Sequence, residues 1–204
     1  MRYSFTTLLM CFPALLLLGQ NHNNGTQRQR AEARVAEIGK IVTLDSLQQR
    51  SMKDNITAYN MVCDSISSDQ TKDQHEKDKW QRKVNKQYQS AFMNTFSDEQ
   101  RVVYLTAITQ TATDSLVKAE MNILQNTQLF SATELDNLKK ELTQYHRQEQ
   151  FILERDKYDI NSRRENLEWL KKRSSNTFKY CEHILKMQKE GVIKDGNIKW
   201  QTNN

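Results

Sequence analysis

Apolar residues recur along this chain at intervals of three and four. Met52, Ile56, Tyr59, Cys63 and Ile66 form one line, and Trp80, Val84, Tyr88 and Phe92 form a second. A third runs through Leu105, Ile108, Ala112, Leu116, Ala119 and Ile123. A fourth begins at Leu135, Leu138, Leu142, Tyr145 and Ile152 and resumes at Leu167 and Leu170. This spacing places each set on one face of an α-helix. The plain reading of each line is a stripe turned toward other helices, not a face built for a cofactor.

Helix breakers are almost absent. The only proline is Pro13, and no glycine lies between Gly39 and Gly191. Strands and tight turns use both residues as punctuation, so a body without them predicts long helices joined by polar turns. "SISSDQTKDQ", "NTFSD" and "NTQLFSA" read as those turns. The predicted fold class is all-α: elongated helical hairpins or a bundle of four or more long helices. A single helix from Ser131 to Glu190 would run about 90 Å at 1.5 Å per residue, so a break is expected. "DINSRRE" offers a restart through Ser162 and Glu165, and "RSSNT" offers one near Ser174. After Gly191 the texture changes: "VIKDGNIKW" sets β-branched residues around Asp195-Gly196, the signature of a short C-terminal β-hairpin.

The first twenty residues, "MRYSFTTLLMCFPALLLLGQ", carry one early charge and then about a dozen apolar positions. That is the anatomy of a secretory signal peptide, short of the ~20 residues of a membrane helix. The expected organisation is a signal peptide at 1–19, a polar disordered linker at 20–30, a helical domain at 31–190, and a β-hairpin and tail at 191–204. The protein is then expected to be exported and periplasmic. An uncleaved N-terminal anchor, or lipidation at Cys11, is the alternative.

Three stretches echo one another: "LDSLQ" at Leu44, "FSDEQ" at Phe96 and "FSATE" at Phe130. In each, an apolar residue precedes a side chain able to cap a helix, and an amide or acid follows three places after the cap. Asp45 with Gln48, Ser97 with Gln100, and Ser131 with Glu134 all have capping-box spacing. Each box would stabilise its helix start by about 1 kcal/mol, with Leu44, Phe96 and Phe130 tucked against the bundle. Capping alone accounts for the echo.

The same residues resemble the LTxxQ family of periplasmic proteins, the Spy/CpxP-like group. "FSDEQR" is similar to that family's "LTxEQR" form, and "LDSLQ" lies some fifty residues earlier. Asp45 and Ser97 stand where the family has threonine, Phe96 where it has leucine, and the third copy ends in Glu134. The resemblance spans Ala31 to Tyr158. It implies an ATP-independent envelope-stress chaperone or stress-sensor modulator, whose helical hairpins dimerise into a curved cradle for unfolded clients. A C-terminal hairpin is not part of that pattern.

Composition narrows the remaining classes. Cys63 and Cys181 are an even pair past the signal segment and make a candidate disulfide; two buried free thiols are the other reading. Closing so long a loop would contribute roughly 4–5 kcal/mol in the chain-entropy picture. The four histidines, His22, His75, His146 and His183, form no i, i+4 ligand pair, and no HExxH or CxxC occurs. No metal or cofactor is therefore expected. No serine sits in a Gly-x-Ser-x-Gly elbow and no glycine-rich phosphate loop is present, so the chain reads as a non-enzyme.

Net charge is +5, and the excess lies late: from Arg147 onward there are 13 Lys/Arg against 9 Asp/Glu. That basic third suits an acidic protein or a peripheral membrane contact. Nucleic acid is not expected, because aromatics do not interleave with the basic residues. Two functions stand side by side. One is a homodimeric holdase acting on unfolded envelope proteins. The other is a structural adaptor in an envelope assembly, its hairpin adding strands to a partner.

Overall fold

The computed structural model describes residues 27–190 together with Ile193, Lys194, Asn197 and Ile198. Among these the helices are α1 (Gln27–Gly39), α2 (Ser46–Ser68), α3 (Gln74–Asn94), α4 (Asp98–Asn126), α5 (Ala132–Arg155), α6 (Ile160–Arg173) and α7 (Asn176–Lys189). The fold is all-α. Past α7, two-residue segments β1 (Ile193–Lys194) and β2 (Asn197–Ile198) pair antiparallel, with Ile193 opposite Ile198. So short a ladder adds no sheet to the architecture. The rest of the expected hairpin, including Asp195-Gly196, lies outside the described residues. So do the expected signal peptide at 1–19 and most of the linker. No helix among the described residues is long and apolar enough to cross a membrane.

Side-chain caps set the helix starts. Asp45, Asp73, Ser131, Asp159 and Ser175 each accept a hydrogen bond from the backbone N–H three residues on, satisfying one of the donors that a helix leaves unpaired at its first turn. The long fourth segment is broken twice, at 156–159 and 174–175. Its restarts are capped by Asp159 and Ser175, one turn before and one residue after the positions read from sequence. At the end of α5, Asp156 holds Arg155 and accepts a 2.7 Å bond from Asn166 Nδ2, which pins the bend. Helix α1 begins four residues earlier than the expected domain start at Ala31.

The chain forms two compact units, with the boundary after Tyr104 inside α4. In the first unit α1 packs on α2, and α2 on α3. Ala31, Val35 and Ile38 of α1 are buried, and a Lys53–Glu32 ion pair and a Gln27–Asp64 hydrogen bond tie α1 to α2. Between α2 and α3 the seam is aromatic: Tyr59 stacks on Tyr88 at 4.1 Å, and Tyr88 leads to Phe92 at 5.7 Å. Phe92 meets Phe96 and Tyr104, which stack on each other at 4.9 Å. No residue from Thr57 to Ala91 is buried, so the far half of this hairpin is a two-layer contact without a core.

The second unit has a closed core. Val117, Met121 and Leu124 of α4, Leu138 and Leu142 of α5, and Phe178, Cys181, Ile184 and Leu185 of α7 form one buried cluster. Tyr145 stacks on Phe178 at 3.7 Å. The α4–α5 turn places Gln128 at φ 55°, a left-handed position that glycine usually fills. With no glycine between Gly39 and Gly191, glutamine carries that strain.

Two expectations fail here. The buried line of α4 is Leu105, Thr109, Thr113, Val117, Met121 and Leu124, one residue out of phase with the predicted stripe; Ala119 is exposed. Thr109 can sit inside because its hydroxyl returns to the preceding turn, bonding the Leu105 carbonyl at 2.6 Å; the Thr113 hydroxyl is buried with no hydrogen-bond partner among the described residues. The candidate bridge between Cys63 and Cys181 is also absent, and both thiols are free. Cys63 belongs to the first unit, where Gln81 Nε2 donates to its sulfur at 3.1 Å. Cys181 is wholly buried in the core of the second unit, which pushes its thiol up to about 11, with nearby Glu120 adding to the rise. Maleimide should therefore label Cys63 and leave Cys181 untouched until denaturant is added, as read by peptide mass. Equal labelling of both in the native protein would contradict this packing.

Candidate functional site

Two of the three echoing helix starts meet. Asp45 Oδ1 accepts from the Gln48 N–H at 2.8 Å, and Gln48 Oε1 accepts from the Asp45 N–H at 3.1 Å. Ser97 and Gln100 repeat the pattern: Ser97 Oγ accepts from the Gln100 N–H at 3.2 Å, and Gln100 Oε1 accepts from the Ser97 N–H at 2.8 Å. These are two capping boxes built from local i, i+3 contacts.

What the spacing does not show is that the glutamines then clasp each other. Gln48 Nε2 donates to Gln100 Oε1 at 2.7 Å, and Gln100 Nε2 donates to Gln48 Oε1 at 3.0 Å. Each amide group also reaches the loop ahead of the opposite helix. Gln48 donates to the Thr95 carbonyl at 2.9 Å, and Gln100 to the Thr43 carbonyl at 2.7 Å. Thr43 and Thr95 each lie two residues before their own cap, so the arrangement is reciprocal. A carboxamide has two donors and two acceptor lone pairs, and here every one is used. Only glutamine does all of this: a carboxylate has no N–H to give, and an asparagine is one methylene short.

The surroundings fix the clasp in place. Leu44 and Phe96, the residues before the caps, are buried, and Phe96 lies in the aromatic line with Phe92 and Tyr104. Arg101, the last residue of "FSDEQR", donates through Nε to the Met93 carbonyl at 3.2 Å and pairs with Asp98 at 3.0 Å. It thus satisfies an acceptor at the C-terminus of α3 while holding the start of α4. The third start belongs to the second unit. Glu134 accepts from both the N–H and the hydroxyl of Ser131 at 2.7 Å, and those bonds hold its carboxyl below the usual range. Phe130 is half-buried against Tyr180, their centroids 6.0 Å apart. Being an acid, Glu134 has no amide to exchange with another start.

A second constellation went unread in the sequence. His146 is 6 % exposed and lies between two carboxylates. Nε2 is 2.7 Å from Glu120 on α4, and Nδ1 is 2.9 Å from Glu149 one turn along α5. Both ring nitrogens face acceptors, so both must donate, which makes the ring an imidazolium. Burial opposes that charge, but the two carboxylates outweigh it and push the histidine up to about 9. The local His146–Glu149 spacing is visible in sequence; Glu120, 26 residues away, is not.

Compared with known protein families, curated proteins and solved structures, the chain matches none.

Proposed function

We propose that this is an exported, non-enzymatic helical protein that acts as an ATP-independent chaperone or envelope-stress modulator of the Spy/CpxP-like kind. The reciprocal Gln48–Gln100 clasp carries the reading. Generic helix caps need only their own residues; these two copies are built to recognise each other, which accounts for a repeated Gln-terminated motif better than capping does. The open hairpin supports it. Met61, Val62 and Trp80 are exposed on α2 and α3, and Leu47, Val102 and Val103 are exposed beside the two motif starts. Apolar side chains left uncovered offer contacts to partners, and unfolded envelope proteins are partners of matching chemistry. The protein works as a homodimer, and no bond is made or broken.

The test follows light scattering from two unrelated proteins diluted out of denaturant, with and without one equivalent of this protein. Suppression of both is expected. No effect on either defeats the chaperone reading and leaves an envelope adaptor, to be sought by pull-down of one tight partner.

A further inference from the structure

Helix α3 carries an unbalanced charge. Lys79, Arg82, Lys83 and Lys86 stand at i, i+3, i+4 and i+7, and from Lys79 to Ser97 the chain has no Asp or Glu. That spacing sets the four on one side of the helix, and all are exposed. The opposite side of α3 faces α2: Gln81 donates to the Cys63 sulfur, Asn85 accepts from the Tyr59 hydroxyl, and Tyr88 stacks on Tyr59. Among the described residues Lys79, Arg82 and Lys83 form no ion pair; Lys83 instead stands over the Trp80 ring, 5.5 Å from its centroid. The two acids before the row sit beside other groups, Asp78 accepting from Gln74 at 2.7 Å and Glu76 lying toward Lys72. Like charges three and four residues apart destabilise a helix, and no contact among the described residues offsets that cost at Lys79 or Arg82.

We propose that this face docks a preformed acidic helix of a partner protein, one with carboxylates at i, i+3 or i+4, and i+7 along one side. Helix geometry sets the match. Lys79 and Lys83 lie about 6 Å apart along α3, at about 1.5 Å per residue, and acids one turn apart on a second helix have the same rise. An unfolded segment suits the row less well. It would lose backbone freedom at every residue it ordered, and α3 offers no strand edge for its backbone to join. Exposed ion pairs are too weak to offset that loss. Lipid and nucleic acid fit less well again. Trp80 is the one large apolar side chain that α3 exposes. The face therefore has neither an apolar strip to sink among acyl chains nor a run of aromatics for bases to stack on. The row draws on neither Met61 nor Val62, so it stands whether or not unfolded clients bind the hairpin.

The probe is a dye-labelled, hydrocarbon-stapled helix about five turns long, with glutamates at i, i+3, i+4 and i+7, titrated with the purified protein and followed by anisotropy. Its isomer, with the same glutamates spread around the helix, is the control. The row peptide should bind about tenfold more tightly than the isomer, an advantage that shrinks between about 0.01 M and about 1 M salt as screening tightens. Lys79→Gln with Arg82→Gln should weaken that binding about tenfold, the effect of two exposed charge contacts. The double variant should melt no lower than the natural protein, because it removes like-charged neighbours. No binding of the row peptide, equal binding of the isomer, or an unchanged affinity in the double variant overturns the proposal. So does a lower melting midpoint in that variant, which would make the row part of the fold. Binding to phosphatidylglycerol vesicles that the double variant loses and the row peptide fails to displace would also overturn it, assigning the face to a membrane.

Discussion

Replacing Gln48 and Gln100 together with alanine should lower stability by about 3 kcal/mol, which is less than the sum of the two single replacements. Each glutamine accepts one cap N–H, donates to one loop carbonyl and pairs with the other glutamine. A net ~0.5 kcal/mol per hydrogen bond, the low end for partly exposed partners, gives about 2 kcal/mol for either single change, part of it the cost of stranding the surviving partner. The second change strands nothing further, so a double-mutant cycle should return a coupling of about 1 kcal/mol. Gln100→Glu sharpens the point. It keeps the acceptor for Ser97 but turns oxygen toward oxygen at Thr43 and Gln48. It should be at least as damaging as alanine at neutral pH and should recover in acid, when the carboxyl regains a proton to donate. Urea midpoints measure all four proteins. Strict additivity would mean two independent caps and would remove the main support for the chaperone reading.

His146→Ala should cost about 3–5 kcal/mol, the range for removing one member of a buried charge cluster. It would leave Glu120 and Glu149 facing a cavity with no cation between them. The same geometry predicts a pH dependence of defined sign. The folded pKa of about 9 lies above the unfolded value of 6.5. The imidazolium therefore adds stability that is complete below pH 6.5 and lost as pH rises through 9. That separation corresponds to roughly 3 kcal/mol. The midpoint of urea unfolding should fall across that window in the natural protein and stay nearly flat across it in Glu120→Gln/Glu149→Gln. A midpoint that rises between pH 6.5 and 9 would mean that the ring is held neutral.

The two cases show what a sequence exposes and what it hides. The capping boxes are i, i+3 patterns, readable because helix geometry brings those positions together whatever the rest of the chain does. The clasp and the His146 cluster join residues 52 and 26 apart, and no local rule pairs them. Absence of glycine and proline is enough to dictate an all-α body. Helix phase is less secure where polar residues go inside. On α4, Thr109 and Thr113 take buried positions, the Thr109 hydroxyl bonding within the helix, whereas apolarity alone favoured Ile108, Ala112 and Leu116. The disulfide expectation rested on parity of count, which says nothing of the separate units to which Cys63 and Cys181 belong.

The uncovered half of the α2–α3 hairpin has a consequence in time as well as space. Amide hydrogens exchange with solvent through local openings, and the energy of an opening follows the apolar area it must unpack. From Thr57 to Ala91 nothing is buried, whereas the three-helix core around Leu124, Leu142 and Cys181 is closed. Deuterium should enter the hairpin tip long before it reaches that core. Any molecule lying across Met61, Val62 and Trp80 would slow that uptake, so the protein carries its own occupancy signal in the exchange rates of the backbone amides from Thr57 to Ala91.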